Sequence, residues 1–481
     1  MQHEQYEWVI GLEIHVQLAT ASKAFCADAA TFGGSPNTHV SAISLGHPGT
    51  LPQLNRQQLN YAVRLALALG SQVNLYSTFD RKNYFYADMP KGYQLTQDEQ
   101  PICRGGRLPL LLPGGIKYLR IHHIHMEEDA GKSIHEEGSD YSLIDLNRAG
   151  VPLLEVVTEP DLRSAEEVDA CMTAMRQLVR YLGISDGNMQ EGSLRCDCNV
   201  SVRLRGETRL GTRCEIKNLN SMRFARRAIE FEAARQIAIL ESGGEIIQQT
   251  RHFDPISGTT SALRDKEDAH DYRYFPDPDL PPVLLSQQEV DTLAAQLPPL
   301  PWVLCDELVR HYGLGEYDAK LLTEELDVAL FYKEICAHTP HYKAVANLLV
   351  NKLLPERAEQ HWPAGSWPVT AAQLADFIAL IEDEKAISAS SAYQHLLPAL
   401  LQQPALAPAV LAQQLNLLQT KDEDLLERLI EHIIGDNPDK VAAYKKGKTG
   451  LIGFFMGELM RASSGKAEPT RSKELLEKAL R

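Results

Sequence analysis

The chain of 481 residues contains no apolar run long enough to cross a bilayer. Its start, Met1-Gln-His-Glu-Gln-Tyr6, lacks the basic and apolar regions of a secretory leader, so none is expected. Two fragments, Gly131-Lys-Ser133 and Gly447-Lys-Thr449, end like phosphate-binding loops. The glycine such a loop needs five residues earlier is missing, because position 126 is Met and position 442 is Ala. Nucleotide binding of the P-loop kind is thereby excluded. There is no Gly-x-Ser-x-Gly elbow and no Cys–His hydrolase signature, so glutaminase chemistry is not expected of this chain. The eight cysteines (Cys26, Cys103, Cys171, Cys196, Cys198, Cys214, Cys305 and Cys336) satisfy no zinc spacing. Cys196, Cys198 and Cys214 fall on one strand face and read either as a thiol metal set or, preferably, as small packed hydrophobes. Scattered cysteines of this kind suit a reducing cytoplasm. Basic residues are in deficit, 48 Lys and Arg against 64 Asp and Glu, and the net charge of −16 repels RNA at long range. Internal repeats and low-complexity tracts are also absent.

What is present begins with His125-Met-Glu-Glu-Asp-Ala-Gly-Lys132, where three consecutive carboxylates follow a histidine. From Leu119 to Glu128 the pattern alternates as a strand, with His123, His125 and Glu127 on one face and Ile124, Met126 and Glu128 on the other. Acidic groups crowded at a strand end repel unless a cation sits among them. The same run also reads as a solvated acidic turn. Near the N-terminus, Val9 to Leu18 alternates again. Ile10, Leu12, Ile14, Val16 and Leu18 share one face, and Glu13, His15 and Gln17 share the other. Two such side chains point the same way and can reach one metal, although a strand with one wet face needs none.

A third piece is a hairpin, Leu194–Arg203 and Leu210–Lys217, turning at Arg205-Gly206-Glu207. Centring the turn on Gly206 predicts Cys198 opposite Cys214, Asn199 opposite Arg213, Arg195 opposite Lys217, and Asp197 opposite Glu215. A slip of two residues keeps every side chain on its face. Two facing carboxylates are hard oxygen donors suited to Mg²⁺. The alternative is neutralisation by Arg195, Arg213 and Lys217.

Residues 1 to about 290 mix strands with helices over 164–182 and 221–242, and Tyr274 to Pro282 closes that region. Helical periodicity then dominates, over 285–297, 304–312, 317–337 and 342–354, with a loop at Trp362 to Pro368 and helices again from 371. Pro404 to Pro408 is read as the entry to a tail. From 440 to 481 ten basic residues stand against four acidic ones, a local balance of +6 that reads as an RNA-contacting end or as a solvated basic helix.

The segments Gly11–Leu18, Asp80–Tyr86, His125–Lys132, Glu191–Asp197, Glu215–Asn220 and Asp271–Asp277, with the tail Tyr444–Met460, resemble the B-subunit family of the aspartyl/glutamyl-tRNA amidotransferases. The motifs keep the family's order and span nearly the whole chain. The resemblance implies an α+β fold: an antiparallel-sheet cradle related to glutamine synthetase over 1–290, a helical domain over 295–404, and a basic helical tail over 408–481 that contacts tRNA. It implies ATP-dependent phosphorylation of the side-chain carboxylate of misacylated Glu-tRNA(Gln) or Asp-tRNA(Asn), then displacement of phosphate by ammonia. The ammonia comes from an amidase partner within a heterotrimer that includes a small third subunit. It also implies Mg²⁺ held by Glu13, His15, Glu127, Glu128, Asp197 and Glu215. The grouping expected is His15 and Glu13 with one of Glu127 and Glu128, and Asp197 and Glu215 with the other. Asp129 is expected behind the ligands. Glu127, Glu128 and Lys82 carry the expected catalytic roles, and Arg81, Lys132 and Arg195 the expected ATP contacts. Arg81 and Lys82 also read as an ordinary basic loop, and Tyr84 and Tyr86 as strand core.

The chain departs from the family at Gln249, where Glu is usual, and at Cys198, where a small residue is usual. It keeps only Cys26 of a zinc loop that some relatives carry in the region 25–46, so no structural zinc is expected. Two other classes stay open on the residues alone. One is a free-standing ligase acting on a small amino acid, and the other a scaffold that only presents tRNA.

Overall fold

The computed structural model describes residues 5–135, 140–219, 221–265, 272–419, 423–463, 466–467 and 469–480, with the backbone alone at 218, 264–265, 423–425 and 469. Among the residues singled out above, Met1–Glu4, Asn220, Asp271, Glu468 and Arg481 lie outside the described ones. The chain divides into two compact units, Met1–Trp302 and Val303–Arg481.

The first unit is built on a ten-stranded sheet. Its central strand is Tyr6–Gln17, flanked by Pro152–Thr158 on one side and Leu194–Leu204 on the other. Gly115–Glu128 lies beyond the first neighbour and Cys214–Leu219 beyond the second. These pairings are antiparallel, and the parallel Cys214–Leu219/Gln249–Asp254 pair is the exception. Period-2 alternation decides what each face does. Ile10, Leu12, Ile14 and Val16 are fully buried with Leu154, Val156, Cys196, Cys198 and Val200 in one apolar core. Each such side chain contributes about 1.5–3 kcal/mol of burial. Helices Arg56–Ala68, Ala165–Tyr181 and Met222–Glu241 lay their apolar stripes into that core. Ser164 and Ser221 cap the last two helices, accepting from the Glu167 and Phe224 amides at 3.2 Å each. The helices therefore occupy the apolar face and leave the other for polar groups.

The hairpin register differs from the one expected. Asn199, not Asp197, stands opposite Glu215, and Cys198 stands opposite Ile216, not Cys214. The ladder has slipped by two residues, with an irregularity between Cys196 and Cys198. The cause lies in Leu210–Arg213, which leaves the ladder. A Cβ on Gly211 would lie 2.2 Å from the Val202 carbonyl oxygen, so glycine alone permits the close backbone approach there. The expected Asp197/Glu215 and Arg195/Lys217 pairs are corrected accordingly.

The second unit is helical. One core gathers residues from Cys305 to Ala412, and a smaller one gathers Leu426, Ile430, Phe455, Leu459 and Leu476. The helix that follows Pro404–Pro408, Pro408–Gln414, packs Leu411 and Ala412 into the first of these cores, so the tail's own core begins after it. The helix expected over 317–337 is two, Glu316–Leu322 and Leu326–Cys336. The break falls where the Thr323 hydroxyl bonds back to the Ala319 carbonyl at 2.7 Å. The helix expected to end near 354 runs to Gln360 through a π-helical turn at Leu349–Leu353. No helix among the described residues is long and apolar enough to span a membrane.

Candidate functional site

On the sheet's polar face the register writes rows of side chains. One row runs His125, Glu155, His15, Arg195, and the next places Val157, Glu13 and Asp197 side by side. Glu13 and Asp197 are Cα partners, so two carboxylates do face each other, across a different strand pair from the one expected.

Two ligand sets result, each with its donor atoms within 4.8 Å of one another: His15, Glu127 and Glu155, and Glu13, Asp197 and Glu215. In the first set His15 Nε2 lies 3.1 Å from Glu155 Oε2. His125 Nε2 stands 3.5 Å from Glu127 and 3.6 Å from Glu155. Burial works against a charged His15, but the Glu155 carboxylate prevails and lifts its pKa to about 9. Burial likewise opposes the Glu155 charge, and His125 and His15 together hold that carboxyl below its usual range. In the second set Asn199 Nδ2 donates to Glu13 at 2.9 Å and Thr250 Oγ1 to Glu215 at 2.8 Å. Lys217 Nζ reaches Glu215 at 2.9 Å and Asp197 at 3.2 Å. Lys217 thus bonds two of the three carboxylates, and Arg195 and His15 also act on Asp197. Burial, with Glu155 and Glu215 nearby, pushes the Glu13 pKa up. Like charges about 4 Å apart cost roughly 4 kcal/mol at an effective dielectric near 20, so a cation among these oxygens relieves a real repulsion. The donor chemistry fits: three hard oxygens suit Mg²⁺, and one imidazole with two carboxylates suits Mg²⁺ or a slightly softer divalent ion.

The expected residues are thus brought together, but regrouped. Glu13 joins Asp197 and Glu215, and His15 joins Glu127. Glu128 joins neither set. It falls on the opposite strand parity, where Lys91 pairs with it and the Leu95 amide donates to it at 3.0 Å. A cavity of about 170 Å³ there is lined by Glu128, Lys91, Tyr93 and Cys26. The residue of the first candidate set that sequence reading missed is Glu155. Its signal was available: one carboxylate inside the apolar strand Val151-Pro-Leu-Leu-Glu-Val-Val157, where an unpaired charge is too costly to keep.

Asp129, expected behind the ligands, accepts from Arg195 Nη1 at 3.0 Å and from Gln17 Nε2 at 2.5 Å. Its burial is overcome by Arg195 and Arg148, which hold the carboxyl below its usual range. Arg195 is therefore tied to Asp129. Arg81 is tied as well, to Asp277 at 2.5 Å and Asp279 at 2.9 Å, with its guanidinium 4.2 Å from the Tyr93 ring centre. Lys132 is exposed at the start of the two-stranded hairpin Lys132–His135/Ser142–Asp145. Lys82 is better placed. It lines a polar cavity of about 290 Å³ with Arg104, His122, His123 and Tyr274, beside Glu155. Burial opposes its charge, and Glu127, Tyr274, Glu155 and Tyr272 together outweigh it, so its pKa is raised. Tyr84 and Tyr86 are not strand core. They follow the strand Asp80–Asn83 and join Tyr272 and Tyr274 in a chain of edge-to-face rings.

The chain matches the model of the GatB/GatE catalytic domain over residues 8–291 and that of the GatB domain over residues 330–480. It is 45% identical over 480 residues to a Myxococcus xanthus protein described as the B subunit of an aspartyl/glutamyl-tRNA(Asn/Gln) amidotransferase, covering 100% of both chains. Proteins of the same description from Solidesulfovibrio magneticus and Paramagnetospirillum magneticum are each 46% identical, over 476 and 483 residues, covering at least 99% of each chain.

Proposed function

The chain belongs to the GatB/GatE family, and on that premise we propose that it is the B subunit of the tRNA-dependent amidotransferase, converting Glu-tRNA(Gln), Asp-tRNA(Asn) or both to the amidated forms. It is part of a ligase that forms a carbon–nitrogen bond with glutamine-derived ammonia. ATP phosphorylates the side-chain carboxylate of the esterified amino acid, and ammonia then displaces phosphate. A carboxylate is a poor electrophile and an acyl phosphate a good one. Ammonia arrives from an amidase subunit, and a small third subunit completes a heterotrimer in the cytoplasm.

The observation that carries this reading is the paired ligand sets on one sheet face. His15, Glu127 and Glu155 would hold one Mg²⁺, and Glu13, Asp197 and Glu215 a second. When bound, such ions neutralise phosphate and carboxylate charge as the two reactants approach. The chain's own residues do the rest. Lys82 sets its ammonium against the transferred phosphoryl group in the cavity beside Glu155. Asp129 fixes Arg195 at the rim, so the ATP contacts expected of Arg81, Lys132 and Arg195 rest on Arg195 foremost. Glu128, with Lys91, stands on the other side of the strand end and would accept the proton that the attacking ammonia sheds. The antiparallel sheet with helices on one face supports the glutamine-synthetase-like cradle, and the basic end supports tRNA contact by the tail.

The test is ATP hydrolysis by the chain assembled with its amidase and third subunits, with and without Glu-tRNA(Gln). Turnover that needs both the misacylated tRNA and Asp197 supports the reading. Turnover indifferent to tRNA would assign a small-molecule ligase. Turnover undiminished by Asp197→Ala would leave the chain a scaffold.

A further inference from the structure

The helical unit holds a groove that the sheet chemistry does not use. Its origin is a short sequence that occurs twice, Leu353-Leu-Pro355 and Leu396-Leu-Pro398. Proline has no N–H, so Pro355 and Pro398 cannot donate to the carbonyls of Asn351 and Gln394 four residues earlier. In both places the ladder widens, and Leu354 N–H bonds to the Leu349 carbonyl and Leu397 N–H to that of Ala392. Two π-helical turns result, Leu349–Leu353 and Ala392–Leu396. Such turns are rare and recur at functional sites.

Both turns line one cavity of about 660 Å³, inside the roughly 300–1,000 Å³ range of ligand sites. Asn351 and Lys352 come from the first turn and Tyr393 from the second, with Lys352 Nζ 5.7 Å from the Tyr393 ring centre. Tyr393 is anchored on Phe377, with ring centres 5.6 Å apart. Tyr312 and Tyr342 form a second aromatic wall, edge to face at 4.9 Å. Lys343, Asn347 and Asn351 recur every four residues, so they share one helix face, and all three are exposed. Glu382 also lines the cavity, which argues against a site for bare phosphate.

Tyrosine faces, amide donors and acceptors, and two exposed lysines are the parts that take an unpaired nucleotide: stacking for the base, amides for its edge, and cations for its phosphates. We propose that this groove binds an unpaired nucleotide of the tRNA substrate. The proposal rests on the reading that misacylated tRNA is the substrate, and adds a second point of attachment within residues 312–393. Its binding energy would be uniform, present before and during the reaction, and so would act on KM and not on kcat.

The experiment measures deacylated tRNA binding to the full chain assembled with its partner subunits, over a range of salt. The proteins are wild type, Lys343→Ala/Lys352→Ala and Tyr393→Ala, with Tyr393→Phe as the conservative control. Both lysines are exposed and their removal leaves the fold unchanged, so that variant stands even where Tyr393→Ala weakens the core. Expected are an affinity loss of about tenfold for Tyr393→Ala, recovery in Tyr393→Phe, and a salt slope reduced by about one per lysine removed. KM for misacylated tRNA rises in parallel at constant kcat. Wild type that fails to bind tRNA at all would sink the substrate reading itself. Wild type that binds, with variants binding equally well, would overturn the groove alone. Variants that keep tRNA affinity but lose subunit assembly would give the groove to a protein partner and overturn the proposal.

Discussion

The sheet unit and the helical unit carry their polar groups under different rules. On the sheet, a polar residue inside an alternating strand must emerge on one face, and neighbouring strands stack such residues into rows 4.7–4.9 Å apart, roughly. That spacing brings Glu13, Asp197 and Glu215 within reach of one ion. In the helical unit the groove is lined in part by two π-helical turns, each followed closely by a proline. A sheet concentrates charge by topology, whereas a helix bundle needs a defect to make a concavity.

The largest effect that would sharpen this contrast is Asp197→Ala. Losing one oxygen donor of a charged set should lower tRNA-dependent ATP hydrolysis on the order of 10³-fold, the equivalent of several kcal/mol of charge stabilisation. The melting temperature should hold or rise, because Glu13 and Glu215 lose a like-charged neighbour. A melting temperature that collapses would instead make the cluster structural. Next, Leu353→Ala removes a fully buried side chain from the helical core, and should cost about 2–5 kcal/mol. Denaturant unfolding should show that loss while divalent-ion titration of the sheet unit stays unchanged. Coupled losses would break the separation.

Glu155→Gln should lower activity by about 10²-fold. It should also release His15, whose imidazole resonances then titrate closer to 6.5 than to about 9. The same residue sets a pH dependence. In the metal-free chain His15 is protonated below about 9, against 6.5 in the unfolded state. The stability it contributes is fully present below 6.5 and is lost as pH rises through about 9. Metal binding at pH 7 must displace that proton, so affinity at the His15 set should rise about tenfold per pH unit from 7 to 9. The Glu13 set has no histidine and should show no such slope in that window. The smallest effect belongs to the caps: Ser221→Ala should cost about 1 kcal/mol by denaturant unfolding and leave both ligand sets intact.

Alternation made much of the site legible. It assigned Glu13, His15, Glu127, Asp197 and Glu215 to polar faces, put Ile10 to Val16 on one apolar face, and found the helix over 164–182. It could not say which strands lie side by side, because register and strand order depend on contacts distant in sequence. Glu215 and Asn199 became partners through a close approach between Gly211 and Val202, which no periodicity reveals. Glu127 and Glu128 were expected to serve one ligand set each, as the family resemblance implies, although alternation already put them on opposite faces and only Glu127 on the face of His125. Glu155 was overlooked because its neighbours are apolar, when that very setting marks a charge with a task. In the helical unit, periodicity located most of the core, but the Thr323 break and the two π turns arise from local hydrogen-bond competition and missing donors.

Titration of Mn²⁺ into the metal-free chain, followed by electron paramagnetic resonance and repeated with Glu155→Ala and Asp197→Ala, tests the central claim most directly. Two bound ions in the wild type, with one lost in each variant, is the predicted result. A single site, or two sites indifferent to both substitutions, would show that the rows of carboxylates on this sheet face are not a pair of cation sites.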